Sequence, residues 1–409
     1  MTKRPPLFSI VIPTRNRAYL IGNALQTALA QAIDDYEIVV SNNDSSDDTE
    51  DVVRGFSDRR IRYFRTDKSM SMPDHWDFAL SKARGEWVTF LADDDVISSR
   101  LLREVSETIT ELPCDIVSWQ NWVYYIPAGE PGRRNQYIKY NLSGNRYYVD
   151  SAAALENIFT SRVDVTIPRM LNSCCHRSVI EKVQGKVGRF FPPPAPDYTS
   201  CVASLAVVDR YAYIDLPLTL SRAGETSPHA SVGNFTNFLA ELDEDRRGGY
   251  APIHVPTVGP ATIVYESIFK MRSLMPDELG DVPVDMERYL DGFYVGMLRH
   301  LSRGFRFDTE RKLFGDFLKR QPAMIRMRVR ARMLLTFVRH LVSTTMRPLI
   351  FGNSFLLKAA QLLRRRQVVQ GEEAGFENIL GAIRHLDASI FEGRPVNEST
   401  EPAQFVHRA

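Results

Sequence analysis

Between residues 8 and 112 the chain alternates short β-rich runs with amphipathic helical stretches, and few architectures accept that pattern. Phe8-Ser9-Ile10-Val11-Ile12 reads as a buried strand stopped by Pro13. Residues 18–31 then place Leu20, Ala24, Leu25, Ala28 and Leu29 at helical spacing. Further strands are predicted at 37–40, 61–64 and 87–91, with helices at 74–83 and 101–112. Such alternation implies a layered α/β domain with a mainly parallel sheet. Ligands of open α/β sheets sit outside the carboxyl ends of the strands. Four polar segments fall there: 13–17, 41–48, 65–74 and 92–95.

Beyond residue 114 the strands lengthen. Runs at 116–125 and 137–140 suggest a hairpin around a Gly/Pro loop at 127–132, followed by helices at 152–159 and 197–207. Two closing strands are expected at 211–214 and 218–221. Gly, Pro, Ser and Asn accumulate over 223–260, which divides the chain into a domain at 1–222, a linker or acceptor-side loop at 223–260 and a mostly helical region at 261–409. A formal charge of +1 excludes a chain that binds polyanions over its whole surface. The N-terminus lacks the pattern of a secretory signal, and nowhere do roughly 18 apolar residues run without a charge. Cys114, Cys174, Cys175 and Cys201 form no C-x-x-C pair, so reduced thiols in a cytoplasmic protein are expected.

Asp93-Asp94-Asp95 directly follows the fourth strand. Adjacent carboxylates repel one another, and two arrangements relieve them: a solvated turn capping a helix from Ser98 or Ser99, or a bound divalent cation. Hard oxygen donors would suit Mg²⁺ or Mn²⁺, which take one or two carboxylates and complete their sphere with phosphate oxygens. The triplet alone leaves both open.

Its setting adds a family resemblance. Residues 8–17 (FSIVIPTRNR) resemble the first strand and turn of family 2 glycosyltransferases of the GT-A fold. Residues 37–49 (EIVVSNNDSSDDT) are similar to that family's second strand and acidic turn, and 85–95 (GEWVTFLADDD) to its fourth strand and DxD-type motif. The resemblance covers roughly residues 7 to 222 and implies a GT-A-type layered α/β/α domain with a mainly parallel central sheet, ahead of a mostly helical C-terminal region. The implied activity is metal-dependent, inverting transfer of a hexose from a nucleotide-diphosphate donor to a hydroxyl of a glycan or lipid-linked acceptor.

Roles follow from the same resemblance. Pro13 and Thr14 would face the nucleobase and ribose, with Arg15 and Arg17 near the diphosphate. Where the family usually has an Asp that accepts from uracil, this chain has Asn42 and Asn43; Asn43 takes the contact and the base stays open. Asp74 would touch the donor or cap its helix. Asp93 and Asp94 would meet ribose and diphosphate, and Asp94 and Asp95 the metal. Asp197 matches the catalytic base in position, with a helix cap as its other reading. His229 is either a further metal ligand or a loop residue. A nucleotidyltransferase is a rival, although it would carry a glycine-rich loop after the first strand, where Pro13-Thr14-Arg15-Asn16-Arg17 has no glycine. A non-catalytic sugar-nucleotide or glycan-binding module is another.

Residues 317–371 contain no Asp or Glu but many arginines interleaved with apolar residues. That composition suits peripheral contact with an anionic membrane surface, at the inner face for a cytoplasmic protein. It equally suits a helix packed on the catalytic domain or on a second copy in a homo-oligomer. Sparse aromatics argue against nucleic acid.

Overall fold

Seven consecutive buried residues make β1 (Phe8–Thr14) the axis of the fold. The computed structural model describes residues 4–125, 135–140, 142–160, 162, 165–223, 260–301, 306, 308–351 and 367–391. After β1 come α1 (Ala18–Leu29), β2 (Tyr36–Asn42), α2 (Thr49–Arg54), β3 (Ile61–Arg65), α3 (Met72–Lys82) and β4 (Trp87–Phe90). The four strands lie parallel in the order β3-β2-β1-β4. β2 and β3 thus lie on one side of β1 and β4 on the other, so the order reverses between β1 and β4. The crevice at such a switch point is where open α/β sheets bind ligands.

Strand periodicity explains the layers. Ile10 and Ile12 point into a core with Ile21 and Leu25 of α1. Val11, between them, packs on the opposite face with Trp76 and Leu80 of α3. β5 (Val96–Ile97) and α4 (Leu101–Glu111) follow β4 and close the first of these faces. The sheet then continues through β6 (Ile116–Tyr125), β7 (Gln136–Lys139) and β8 (Arg146–Asp150), and after α5 (Ser151–Phe159) through β9 (Ser173–His176). Beyond α6 (Arg177–Val187) and α7 (Pro196–Leu205), β10 (Arg210–Ala223) runs parallel to β6 and antiparallel to β5 and β8. A central sheet flanked by helices, followed by a helical C-terminal region, is the expected fold class.

Several local expectations change. The two closing strands are one, β10, whose register against β6 shifts around Pro217; proline has no N–H to give a ladder, so the strand bulges there. β6 and β7 do form the expected antiparallel pair, while residues 127–132 lie outside the described residues. β9 inserts antiparallel between β4 and β6, although Ser173-Cys174-Cys175-His176 carries little strand signal.

The capping readings fall. Ser71, not Asp74, caps α3. The N-cap of α7 is Ala195, with Pro196 and Asp197 inside the first turn and no side-chain cap. The acidic triplet is followed by β5, and α4 starts only at Leu101, with no side-chain cap.

The C-terminal region is mostly helical, with helices at Pro260–Leu274, Met286–Leu301, Asp308–Lys319, Ala323–Phe351 and Ile379–Phe391. It does not form a core of its own: Ile268, Leu290, Phe293 and Val329 share one cluster with Val202 of α7. β11 (Gln367–Gln370) adds an antiparallel edge to β7. The linker residues 224–259, His229 among them, lie outside the described residues. Among the described residues no helix is long and apolar enough to cross a membrane.

Candidate functional site

A buried polar network sets the distance between β1 and β4. Glu37 of β2 accepts from Ser9 Oγ (2.8 Å), the Arg84 amide (2.6 Å) and the Arg62 guanidinium (2.9 Å). These donors hold its carboxyl below the usual range even though burial works the other way. Gly85 donates to Ser9 Oγ at 2.8 Å, and a Cβ at Gly85 would lie 2.6 Å from the Ser9 amide nitrogen. Only glycine lets the turn before β4 approach β1 this closely.

On that scaffold the β1 and β2 turns are stitched together. Asn16, at φ 53°, receives a hydrogen bond from the Ser46 amide and gives its own amide to Ser45 Oγ. Asp47 accepts from the Ala18 amide at 2.9 Å, satisfying an orphan donor at the start of α1, whose own N-cap Arg17 makes no side-chain cap. Arg15 and Arg17 are thereby presented at the carboxyl edge of β1.

Arg17 meets the acidic triplet. Burial disfavours its charge, but Asp93 and Asp94 outweigh burial and hold the guanidinium more firmly protonated than usual. Asp93 accepts from the Arg15 amide and lies beside the Thr14 hydroxyl; burial, then the Asp94 charge, pushes its carboxyl up to about 7. Thr14 Oγ1 itself is buried without a hydrogen bond of good geometry. Asp95 accepts from Ser221 Oγ (2.8 Å) and the Arg222 amide (2.9 Å) of β10. Burial and Asp94 still raise its carboxyl well above the ordinary range. Arg17 thus faces Asp93 and Asp94, and Ser221 with the Arg222 amide holds Asp95.

Among the described residues no three His, Cys, Asp or Glu side chains cluster around one point as a complete protein-built metal cage. The donor set nevertheless fits a hard divalent cation that shares its sphere with phosphate: the ligands are all oxygen, and adjacent carboxylates raise one another's proton affinity, which a cation would relieve. Two hydrogen bonds on Asp95 leave each of its oxygens a second lone pair.

The residues expected to face the nucleotide are held by neighbouring loops. Asn43 Oδ1 accepts from the Met70 amide (2.8 Å) and from Thr66 Oγ1 (3.4 Å), while its Nδ2 donates to the Met70 carbonyl (2.9 Å). The amide pins the loop after β3 to β2, so the acceptor expected to read a base is already engaged and one N–H remains. Asn42 is similarly tied, to the Ser45 amide and the Tyr63 hydroxyl. Asp74 is exposed and pairs with Arg189 at 2.9 Å, whose Nε also meets Asp77. Beneath this loop His75 is buried, its Nε2 2.9 Å from Ser41 Oγ.

Asp197 reaches the same edge by a different route. β9 runs antiparallel to β4, so its beginning, preceded by Arg169, lies at the carboxyl end of β4. Arg169 Nη1 stands 3.8 Å from Asp197 Oδ2, and its guanidinium lies 5.5 Å from the centre of the Tyr198 ring. Burial raises the Asp197 carboxyl above its ordinary value, with Arg169 opposing. No spacing rule in the sequence links Arg169 to Asp197, or Ser221 and Arg222 to Asp95. The four cysteines are free, and burial raises their thiols, so none is poised as a nucleophile.

Comparison with known proteins bears on the family and the fold. Residues 9–164 match the family model described as glycosyl transferase family 2. The chain is 38% identical over 109 residues to the GalNAc(5)-diNAcBac-PP-undecaprenol beta-1,3-glucosyltransferase of Campylobacter jejuni, a match covering 26% of this chain and 35% of that protein. It is 32% identical over 101 residues to the UDP-Glc:alpha-D-GlcNAc-diphosphoundecaprenol beta-1,3-glucosyltransferase WfgD of Escherichia coli, covering 24% of this chain and 40% of that one. The matched stretch thus spans well under half the length of these curated relatives. S. aureus TarS 1–349 in complex with UDP-GlcNAc shares the fold, with a TM-score of 0.50 and 16% identity over 83% of this chain and 91% of that one.

Proposed function

From residues 9–164, which belong to glycosyl transferase family 2, we infer that the protein moves a sugar from a nucleotide-diphosphate donor to a hydroxyl of a lipid-linked glycan or similar acceptor. One observation carries the reading: at the switch point between β1 and β4, the Thr14–Arg17 turn and the Asp93-Asp94-Asp95 cluster face each other. A nucleoside diphosphate needs cations for its phosphates and polar groups for its ribose, and this crevice offers both. The acceptor class rests on the two bacterial relatives, whose names specify undecaprenol-linked substrates.

Asp94 and Asp95 would hold Mg²⁺ or Mn²⁺, with Asp93 turned to the ribose. When bound, the ion supplies positive charge where the departing diphosphate becomes negative. Arg17 and Arg15 orient the phosphates. Asp197 acts as the base that takes the proton from the attacking hydroxyl, and attack opposite the leaving group inverts the anomeric centre. Its raised proton affinity suits it to that task. Arg169 opposes that rise and orients the carboxylate.

A thermal-shift panel of UDP-, GDP- and dTDP-sugars, in Mn²⁺ and in EDTA, tests the reading. A donor present at about a hundred times its Kd stabilises the fold by about 2.7 kcal/mol. Stabilisation by one nucleotide class, lost in EDTA, is expected. Indifference to every nucleotide sugar in Mn²⁺ overturns the assignment, and equal stabilisation in EDTA removes the metal from it.

A further inference from the structure

Over its described side chains, residues 323–338, the helix Ala323–Phe351 has two apolar faces, and one of them packs on the protein. Its inner stripe, Ile325, Val329 and Met333, packs on the core that contains Leu290 and Phe293. Arg328 and Arg332 both reach Glu287, and Thr336 donates to Asp291, which fixes the helix's rotation. Nearly opposite, Met324, Met327, Leu334, Leu335 and Val338 are between 47% and 66% exposed. At 3.6 residues per turn these five fall on an arc about 100° wide. Single exposed apolar residues are ordinary, but a continuous stripe of large ones is not.

Charge identifies what covers it. The exposed arc is bordered by Arg328 on one side and by the exposed Arg330 on the other. The whole stretch 317–371 has no carboxylate. In a two-fold self-interface through this stripe, Arg330 would face a like-charged border with no acidic residue in the stretch to separate them, Glu287 being already taken up by Arg328 and Arg332. A surface with anionic headgroups and an apolar interior matches both the stripe and its border, because arginine stems can lie along the acyl boundary while their heads stay at the phosphates. No described helix can cross a membrane, so this one would lie flat on it.

We propose that the outer face of this helix over residues 324–338 is a docking surface for an anionic lipid bilayer. The inference stands on this helix and does not need the transferase reading, although a lipid-linked acceptor would be met at the same surface.

The full chain is sedimented at low salt with vesicles of phosphatidylcholine alone, and with vesicles of three parts phosphatidylcholine to one part phosphatidylglycerol. Binding to the anionic vesicles should be at least about tenfold stronger, since each cation near such a surface contributes on the order of 1 kcal/mol. The double variant Met327→Asp, Leu334→Asp should lose most of that binding with unchanged circular dichroism and Tm, because both positions are exposed. Three results overturn the proposal: no anionic binding by the wild type, equal binding by the variant, or a wild-type dimer that the variant dissolves without any vesicle binding. The vesicles contain no acceptor, so any of these leaves the transferase reading standing.

Discussion

His75 offers a quantitative check on how the crevice is built. It is 4% exposed, hydrogen-bonded to Ser41 and close enough to Arg15 to feel its charge. Burial first, then Arg15, lowers its pKa from 6.5 to about 4. The folded protein therefore refuses a proton that the unfolded chain accepts. Stability from this residue is complete above the unfolded pKa and falls as pH drops through the window from 6.5 to about 4. At about 1.36 kcal/mol per unit, the loss is about 2 kcal/mol by pH 5 and about 3 kcal/mol at its limit. His75→Gln can keep a hydrogen bond to Ser41 but has nothing to titrate. Urea unfolding at pH 7 and pH 5 should show the wild type losing about 2 kcal/mol more than the variant, or roughly 4–8 °C in Tm for a domain of this size. Other groups titrate alike in both proteins and cancel. Parallel losses in wild type and variant would refute the burial argument, and with it the packing of α3 under β2.

Two further substitutions probe the site and its scaffold. Asp197→Asn should cut kcat by roughly 10²–10⁴ with donor KM little changed, whereas Arg169→Gln should move the acid limb of kcat/KM to higher pH, because the cation opposing burial is gone; an unmoved limb removes Arg169 from the mechanism, and recovery in Arg169→Lys supports it. Gly85→Ala places a methyl group against the backbone of Phe8 and Ser9 and should destabilise the protein by about 1–3 kcal/mol in chemical denaturation; wild-type stability would show that β1 and β4 are not held as tightly as described.

How much of this was legible beforehand depends on the range over which each signal acts. The four parallel strands, the helices between them and the position of Asp93-Asp94-Asp95 at a strand end follow from periodicities of two and 3.6 residues, which each segment carries locally. The same patterns also placed Thr14, Arg15 and Arg17 at the neighbouring strand end. Which groups those residues then meet is a different matter. Asp95 is held by Ser221, 126 residues away, and Asn43 by Met70, 27 away. Arg169 comes to Asp197 only because β9 runs backward beside β4. Side-chain hydrogen bonds and ion pairs have no period, so nothing in the chain announces them. The basic C-terminal helix shows the division most directly. Its composition permitted packing on protein or contact with a membrane, and only the tertiary structure, by seating Val329 in the core and turning Arg328 and Arg332 toward Glu287, decided which face is buried and which is left exposed.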